Sequence, residues 1–466
     1  MRYQGPVALA TGQDRTGADG TAAGRGAADF VAAQIARDHA GYAVYGTQGF
    51  DAVTALAERD GALWLEEAPL TGIADRYGTP CFVYSRATLE SAYREFDGAF
   101  AGLEHLTCYA LKSNSNLGVL DVFARLGSGF DVVSGGELAR VIAAGGDPAK
   151  VVFSGVGKSD DELRQALSLG IRCFNVESSS ELEHLERVAA ALGRRAPVSL
   201  RINPDVDART HPYIATGLKD SKFGIPFADA PALYRRAARL PHVAVVGIDI
   251  HIGSQITALE PYREATVKLL ELVDTLGGEG IRLRHVDLGG GIGIRYRDET
   301  PMDLGEYAAM IKALFRGRSE TLVFEPGRRL TGNAGVLLTR VVYLKPGAQR
   351  SFAVVDAAMN DLIRPALYDA WHDVRPVRPR PERGRLWQIV GPVCESADFL
   401  AHDRELALEE GDLLAILSTG AYAMAMSSNY NTRPRAAEVM VDGAATHLVG
   451  RRESISELFA RESRLP

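Results

Sequence analysis

The sequence predicts an α/β protein, a (βα)8 TIM barrel followed by an all-β domain of sandwich or barrel type. Between Thr107 and Pro326 short apolar runs alternate with helix-patterned ones, and the eight pairs match the number that closes a parallel barrel. Each apolar run stops on a polar or glycine-rich cluster, which places all the clusters at one mouth. After about Gly335 helical periodicity gives way to strand-like runs separated by turns.

Residues 1–60 are rich in Gly and Ala, with a weak helical stretch over 28–38, and are expected to form a poorly anchored or accessory extension. In 61–85 a short helix over 71–77 precedes Gly78-Thr79-Pro80 and a strand over 81–84 that can join the β domain. Ser85 reads as the N-cap of an amphipathic helix over 87–100, the start of the barrel domain at 86–334. The strand ends fall, in order, at Leu111-Lys112-Ser113-Asn114, Val133-Ser134-Gly135-Gly136, Phe153-Ser154-Gly155 and Asn175-Val176-Glu177. The second four fall at Arg201-Ile202-Asn203-Pro204, His251-Ile252-Gly253-Ser254, Asp287-Leu288-Gly289-Gly290-Gly291 and Phe324-Glu325-Pro326-Gly327-Arg328. In the β domain, 335–466, strands are expected over 336–344, 351–356, 386–390, 412–417 and 436–441, with turns at Lys345-Pro346-Gly347 and Asp442-Gly443.

A chain of 466 residues, 46% hydrophobic, can bury two cores. With 52 basic and 59 acidic residues and a formal charge of -7, it has no basic block, which argues against a nucleic-acid binder and for a small-molecule partner. Cys81, Cys108, Cys173 and Cys394 show neither metal-ligand nor Cys-x-x-Cys spacing, so no metal site or disulfide framework is expected and a reducing cytoplasm fits. No apolar run approaches the ~18 residues of a membrane span, and no signal-peptide core is seen, so the chain reads as soluble.

Ordinary βα turns explain the glycines at the strand ends, but not Lys112, His251, Glu325 and Arg328 all falling there. Together they suit pyridoxal phosphate, which needs an amine, a phosphate cradle, a partner for its ring nitrogen and a group to pack its ring. Lys112 supplies the amine. Gly289-Gly290-Gly291-Ile292-Gly293 offers backbone N–H groups to a phosphate, and Ser254 adds a hydroxyl. Glu325 can hold a protonated ring nitrogen, and His251 can stack on the ring.

The chain also resembles a known family. The motifs Tyr109-Ala110-Leu111-Lys112, Arg201-Ile202-Asn203-Pro204-Asp205-Val206, Thr210-His211-Pro212-Tyr213-Ile214, Lys222-Phe223-Gly224, His251-Ile252-Gly253-Ser254-Gln255-Ile256 and Glu325-Pro326-Gly327-Arg328 are similar to those of the diaminopimelate decarboxylases. So are Arg364-Pro365-Ala366-Leu367-Tyr368, Gly391-Pro392-Val393-Cys394-Glu395-Ser396, Gly420-Ala421-Tyr422 and Met426-Ser427-Ser428-Asn429-Tyr430-Asn431. Several are shared with the wider ornithine-like decarboxylases; the whole set in this order is specific. The resemblance runs from about residue 60 to the C-terminus, and the N-terminal extension departs from it.

It implies that Lys112 forms the Schiff base, with His251, Ser254, Gly289, Gly290, Gly291, Glu325, Gly327, Arg328 and Tyr422 around the cofactor. Cys394 would protonate the carbon that loses carbon dioxide. It further implies a homodimer in which Cys394 and Glu395 enter a neighbouring subunit's site.

The implied substrate, meso-diaminopimelate, carries a distal carboxylate and a distal ammonium, whereas lysine or ornithine carries only the latter. Arg328, Arg364 and Tyr368 would bind the distal carboxylate and Glu395 the distal ammonium, with Tyr422 lining the same space. The competing readings are a decarboxylase of lysine, ornithine or arginine, and a non-catalytic pyridoxal-phosphate-binding homologue.

Overall fold

A computed structural model describes residues 55–207, 217 and 222–466. The stretch 28–38 and the motif Thr210-His211-Pro212-Tyr213-Ile214 lie outside the described residues, as does most of the expected extension. Leu56–Arg59, which was expected to belong to that extension, is a strand paired antiparallel with Ala62–Leu65.

Eight parallel strands close a barrel. They are His105–Ala110, Gly129–Val132, Val151–Phe153, Cys173–Val176, Ala196–Asn203, Val243–Asp249, His285–Asp287 and Thr321–Phe324. The eighth pairs with the first through Val323↔Leu106 and Phe324↔Thr107, which completes the circle. Side chains divide with the period of two that a pleated strand imposes. Cys108, Val152, Cys173 and Val323 form one buried cluster, and only the lumen brings together side chains from the first, third, fourth and eighth strands. Their neighbours Tyr109, Phe153, Phe174 and Phe324 belong to the core shared with the surrounding helices.

The helix Arg86–Ala99 begins as expected, with Ser85 Oγ accepting from the Thr88 N–H at 3.0 Å. Just before it, Cys81–Ser85 runs antiparallel to Gly335–Lys345 and parallel to Ala437–Asp442, so an early strand lies inside the C-terminal sheet. Gly335–Lys345 is the hub of that sheet: its eleven residues also pair with Ser351–Val355 and Leu413–Ile416.

Within 335–466 three strands escaped the sequence pattern: Val374–Pro376, Phe399–Leu406 and Ala445–Gly450. The first is short and ends on proline, and the other two are largely solvated, so none shows an apolar stripe. The helices Arg364–Tyr368 and Ile455–Leu458 also interrupt what read as an all-strand region.

The β domain reaches the barrel mouth through the helix Arg364–Tyr368 and through a turn at Gly420–Tyr422. Tyr422 N–H donates to Ser113 O at 2.7 Å, and Asn114 Nδ2 donates to Gly420 O at 3.1 Å. Tyr422 has φ 55° and Gly420 leaves no room for a side chain, since a Cβ there would lie 1.9 Å from Thr331 O. The turn is thereby pressed against the end of the first strand, where Lys112 stands.

Candidate active site

A cavity of about 390 Å³ opens at the carboxyl ends of the barrel strands, within the range of about 300–1,000 Å³ usual for small-molecule sites. Lys112, His251, Ser254, Glu325, Arg328, Arg364, Tyr368 and Tyr422 all line it, so eight of the expected residues converge. They come from three strand ends, one β-domain helix and one β-domain turn.

Lys112 follows the first strand in a single 3-10 turn, Leu111–Ser113, which swings its amine over the second strand. There Nζ donates to Asp131 Oδ2 at 2.7 Å. Asp131 lies in the middle of Gly129–Val132, fully buried, and was not singled out from the sequence. Burial opposes a charge on Lys112, but the carboxylates of Asp131 and Glu325 outweigh it and push its pKa up.

Glu325 forms the floor. Its Oε1 accepts from Asn175 Nδ2 at 3.2 Å and Ser154 Oγ at 3.4 Å. Glu325, Asp249 and Asp287 each offer an oxygen within 4.8 Å of the others, all buried. Burial and mutual repulsion push Glu325 and Asp249 well above the ordinary carboxyl range. Asp287 is pushed up to about 7, chiefly by burial, against the pull of the Gly289 N–H. Arg201 faces this group with Nη1 on Glu177 Oε1 at 2.8 Å and Nε 3.9 Å from Asp249 Oδ2. A floor of crowded carboxyls is matched by a ligand that brings a cation or a proton to it.

His251 is neutral, because burial and the nearby Lys112 and Arg201 charges drive its pKa well below the usual value. Its Nδ1 accepts from the Gly290 N–H at 3.2 Å, which puts the ring proton on Nε2. The glycine loop is as tight as its composition suggests. Gly289 and Gly291 have φ of 65° and 105°, and a Cβ on Gly290 would lie 2.0 Å from Glu325 O.

Two of its amides already have partners in the chain. The Gly289 N–H is committed to Asp287 Oδ1 at 2.9 Å and the Gly290 N–H to His251. These two amides fix the floor and the histidine. Gly327 does not line the cavity: it precedes the helix Arg328–Thr331, and a Cβ on it would lie 3.1 Å from Ser113.

At the opposite wall Arg328 donates to Tyr296 Oη at 2.6 Å and to Ser254 Oγ at 3.0 Å, with its guanidinium 4.7 Å from the centre of the Tyr422 ring. Arg364 donates to His372 Nε2 at 2.8 Å. Both arginines are buried, and among the described residues neither makes an ion pair. That wall is a ready receptor for an anion.

Cys394 and Glu395 are not brought to the cavity of their own chain. Both are exposed on the segment after Arg385–Val390, and the Cys394 N–H donates to Asn431 Oδ1 at 2.8 Å. Cys394 is the one exposed cysteine; Cys81, Cys108 and Cys173 are buried.

Sequence reasoning missed Asp131, Ser154, Asn175, Asp249, Asp287, Tyr296 and His372. Ser154, Asn175 and Asp287 carried a signal, since each falls in a strand-end cluster; the others did not.

The set fits pyridoxal phosphate. A primary amine and a buried carboxyl face one cavity, a neutral imidazole adjoins the floor, and Arg328 Nε is a buried donor with no hydrogen-bond partner among the described residues.

Comparison with known proteins agrees. Residues 86–332 match the family model of the pyridoxal binding domain of pyridoxal-dependent decarboxylases. The chain is 63% identical over 408 residues to the diaminopimelate decarboxylase of Pseudomonas aeruginosa, covering 88% of this chain and 98% of that one. It is 60% identical over 410 residues to that of Vibrio cholerae, with the same coverage. Among solved structures, diaminopimelate decarboxylase from Helicobacter pylori complexed with L-lysine superposes with a TM-score of 0.82 at 41% identity, over 84% of this chain and 98% of that one.

Proposed function

The chain belongs to the diaminopimelate decarboxylase family, and from that premise we infer that it is a carboxy-lyase converting meso-2,6-diaminopimelate to L-lysine and carbon dioxide, the last step of lysine biosynthesis. The observation that supports this substrate is the wall holding Arg328 and Arg364, two buried cations facing a cavity that also contains Lys112 and Glu325. A substrate with a second carboxylate meets both ends; a monocarboxylate leaves the arginines uncompensated.

Pyridoxal phosphate, when bound, supplies the electron sink for the pair left behind as carbon dioxide departs. Lys112 would provide the amine that holds it, with Asp131 aiming Nζ into the cavity. Glu325 would hold a protonated ring nitrogen as its carboxylate, and the adjoining Asp249 and Asp287 carboxyls favour a cation at that floor. His251 would pack the ring as a neutral imidazole, adding no charge against a protonated ring. Ser254, Arg328 and Tyr422 would close round the cofactor, and Arg328, Arg364 and Tyr368 would grip the distal carboxylate.

Cys394 delivers the proton to the reacting carbon and Glu395 binds the distal ammonium, both in the cavity of a second copy. Their exposure, away from their own chain's cavity, supports a homodimer with shared sites. We assign the barrel to 86–334 and the β domain to 335–466 together with 61–85. A cytoplasmic location suits free, scattered cysteines, and no described helix is long and apolar enough to cross a membrane.

The test is carbon dioxide release by the holoenzyme from meso-diaminopimelate, L-lysine, L-ornithine and L-arginine. Release from meso-diaminopimelate alone is expected. Release only from a monocarboxylate overturns the arginine argument, and silence on all four returns the chain to a non-catalytic role. Sharing is tested separately: Cys394→Ala is expected to bind cofactor normally while turnover falls by about 10²-fold or more. Mixed dimers of the Lys112→Ala and Cys394→Ala chains should regain activity through one intact site. Purified heterodimers as inactive as their parents would show that each chain serves itself.

A further inference from the structure

We propose that Tyr296 and His372 are positioning residues that hold Arg328 and Arg364 as one doubly charged receptor, and thereby set the preference for a substrate with a second carboxylate. This rests on the assignment of the two arginines to the distal carboxylate.

Tyr296 touches both cations: its hydroxyl accepts from Arg328 Nη1 at 2.6 Å, and its ring centre lies 4.6 Å from the Arg364 guanidinium carbon. His372 meets the same ring edge-on, at 5.3 Å between centres and 79° between planes. It is fully buried, and its Nδ1–H donates to Leu417 O at 2.8 Å. That bond fixes the tautomer and leaves Nε2 to accept from Arg364 Nη1 at 2.8 Å.

The chemical character of these contacts matters more than their number. Phenol, imidazole and the Ser254 hydroxyl orient the guanidiniums without cancelling them. A carboxylate in any of those places would satisfy an arginine and remove its demand for an anion. The Nε atoms of Arg328 and Arg364 are both buried with no hydrogen-bond partner among the described residues. Burial and the neighbouring Arg364 charge hold His372 neutral, at about 3, so it adds no third cation. Tyr296 stands just beyond the glycine loop of the barrel, whereas His372 follows the helix Arg364–Tyr368 of the β domain. The pair therefore ties the two halves of the receptor together.

The experiment compares holoenzymes carrying Tyr296→Phe, His372→Gln, His372→Glu and Arg364→Leu with the unaltered protein. Tyr296→Phe keeps the ring but removes the hydroxyl, and should raise KM for meso-diaminopimelate about tenfold with kcat within about twofold. His372→Gln preserves a neutral acceptor and should stay near the unaltered KM. His372→Glu supplies an acceptor with a charge that pairs Arg364, and should raise KM by more than about tenfold. Affinity for pimelate, a dicarboxylate of the same span without amines, should weaken in parallel by calorimetry.

Unchanged KM and pimelate affinity in Tyr296→Phe overturn the proposal, as does a loss of kcat and cofactor uptake with KM intact. If His372→Glu does not fold, Tyr296→Phe decides alone. Arg364→Leu separates the layers. A raised KM there with an unaffected Tyr296→Phe sinks only this inference, whereas an unchanged KM in Arg364→Leu removes the assignment beneath it.

Discussion

Lys112→Ala is expected to lower kcat by roughly three orders of magnitude or more and to abolish covalent retention of the cofactor after borohydride reduction. Among the described residues Lys112 is the one primary amine lining the cavity, so none of the other lining residues can take over the link. Its geometry is also hard to replace. The 3-10 turn after the first strand and the 2.7 Å contact with Asp131 fix both the reach and the direction of Nζ. Cofactor should still bind non-covalently, because Glu325, His251 and Arg328 remain. The measurement is mass spectrometry of reduced, denatured protein beside a turnover assay. Cofactor mass retained on the alanine protein at any other lysine would move the assignment away from Lys112.

What the sequence revealed about this site follows from the architecture. Residues at the ends of barrel strands stand next to turn signals, so Lys112, His251 and Glu325 could be placed at one mouth from the chain order alone. Residues inside strands carry no such marker. Asp131 in Gly129-Phe130-Asp131-Val132, and Asp249 at the end of a run of apolar residues, look like core positions with an unexplained charge. Their meaning appears only when barrel closure crowds carboxyls from several strands into one floor.

Tyr296 and His372 were hidden for a related reason. They act across the boundary between barrel and β domain, through contacts between residues 76 positions apart in the chain. Cys394 and Glu395 show the opposite limit. Their motif is plain in the sequence, but a motif does not tell which copy's cavity it serves, and the single chain leaves both in solvent.

The second large effect is expected at the floor. Glu325→Gln keeps the size and an acceptor for Asn175 and Ser154, but cannot carry the charge that holds a protonated ring nitrogen. Turnover should fall by about 10²-fold or more, with the cofactor still linked to Lys112 and its visible absorption shifted. Wild-type kcat in Glu325→Gln would show that the ring is used unprotonated.

The same substitution carries a pH signature in the cofactor-free protein. Asp287 is raised to about 7 and Glu325 is pushed well above its ordinary range, so the folded state keeps protons that the unfolded chain releases at about pH 4. A raised folded pKa gives stability that is complete below the unfolded value and lost as pH rises through the folded one. The thermal midpoint of the cofactor-free protein should therefore decline between about pH 4 and pH 7 on account of this cluster. Glu325→Gln removes one titrating carboxyl with a raised pKa from the floor, which makes that decline shallower. Equal slopes in the two proteins would mean that the crowded floor is relieved in solution by something other than a shared proton.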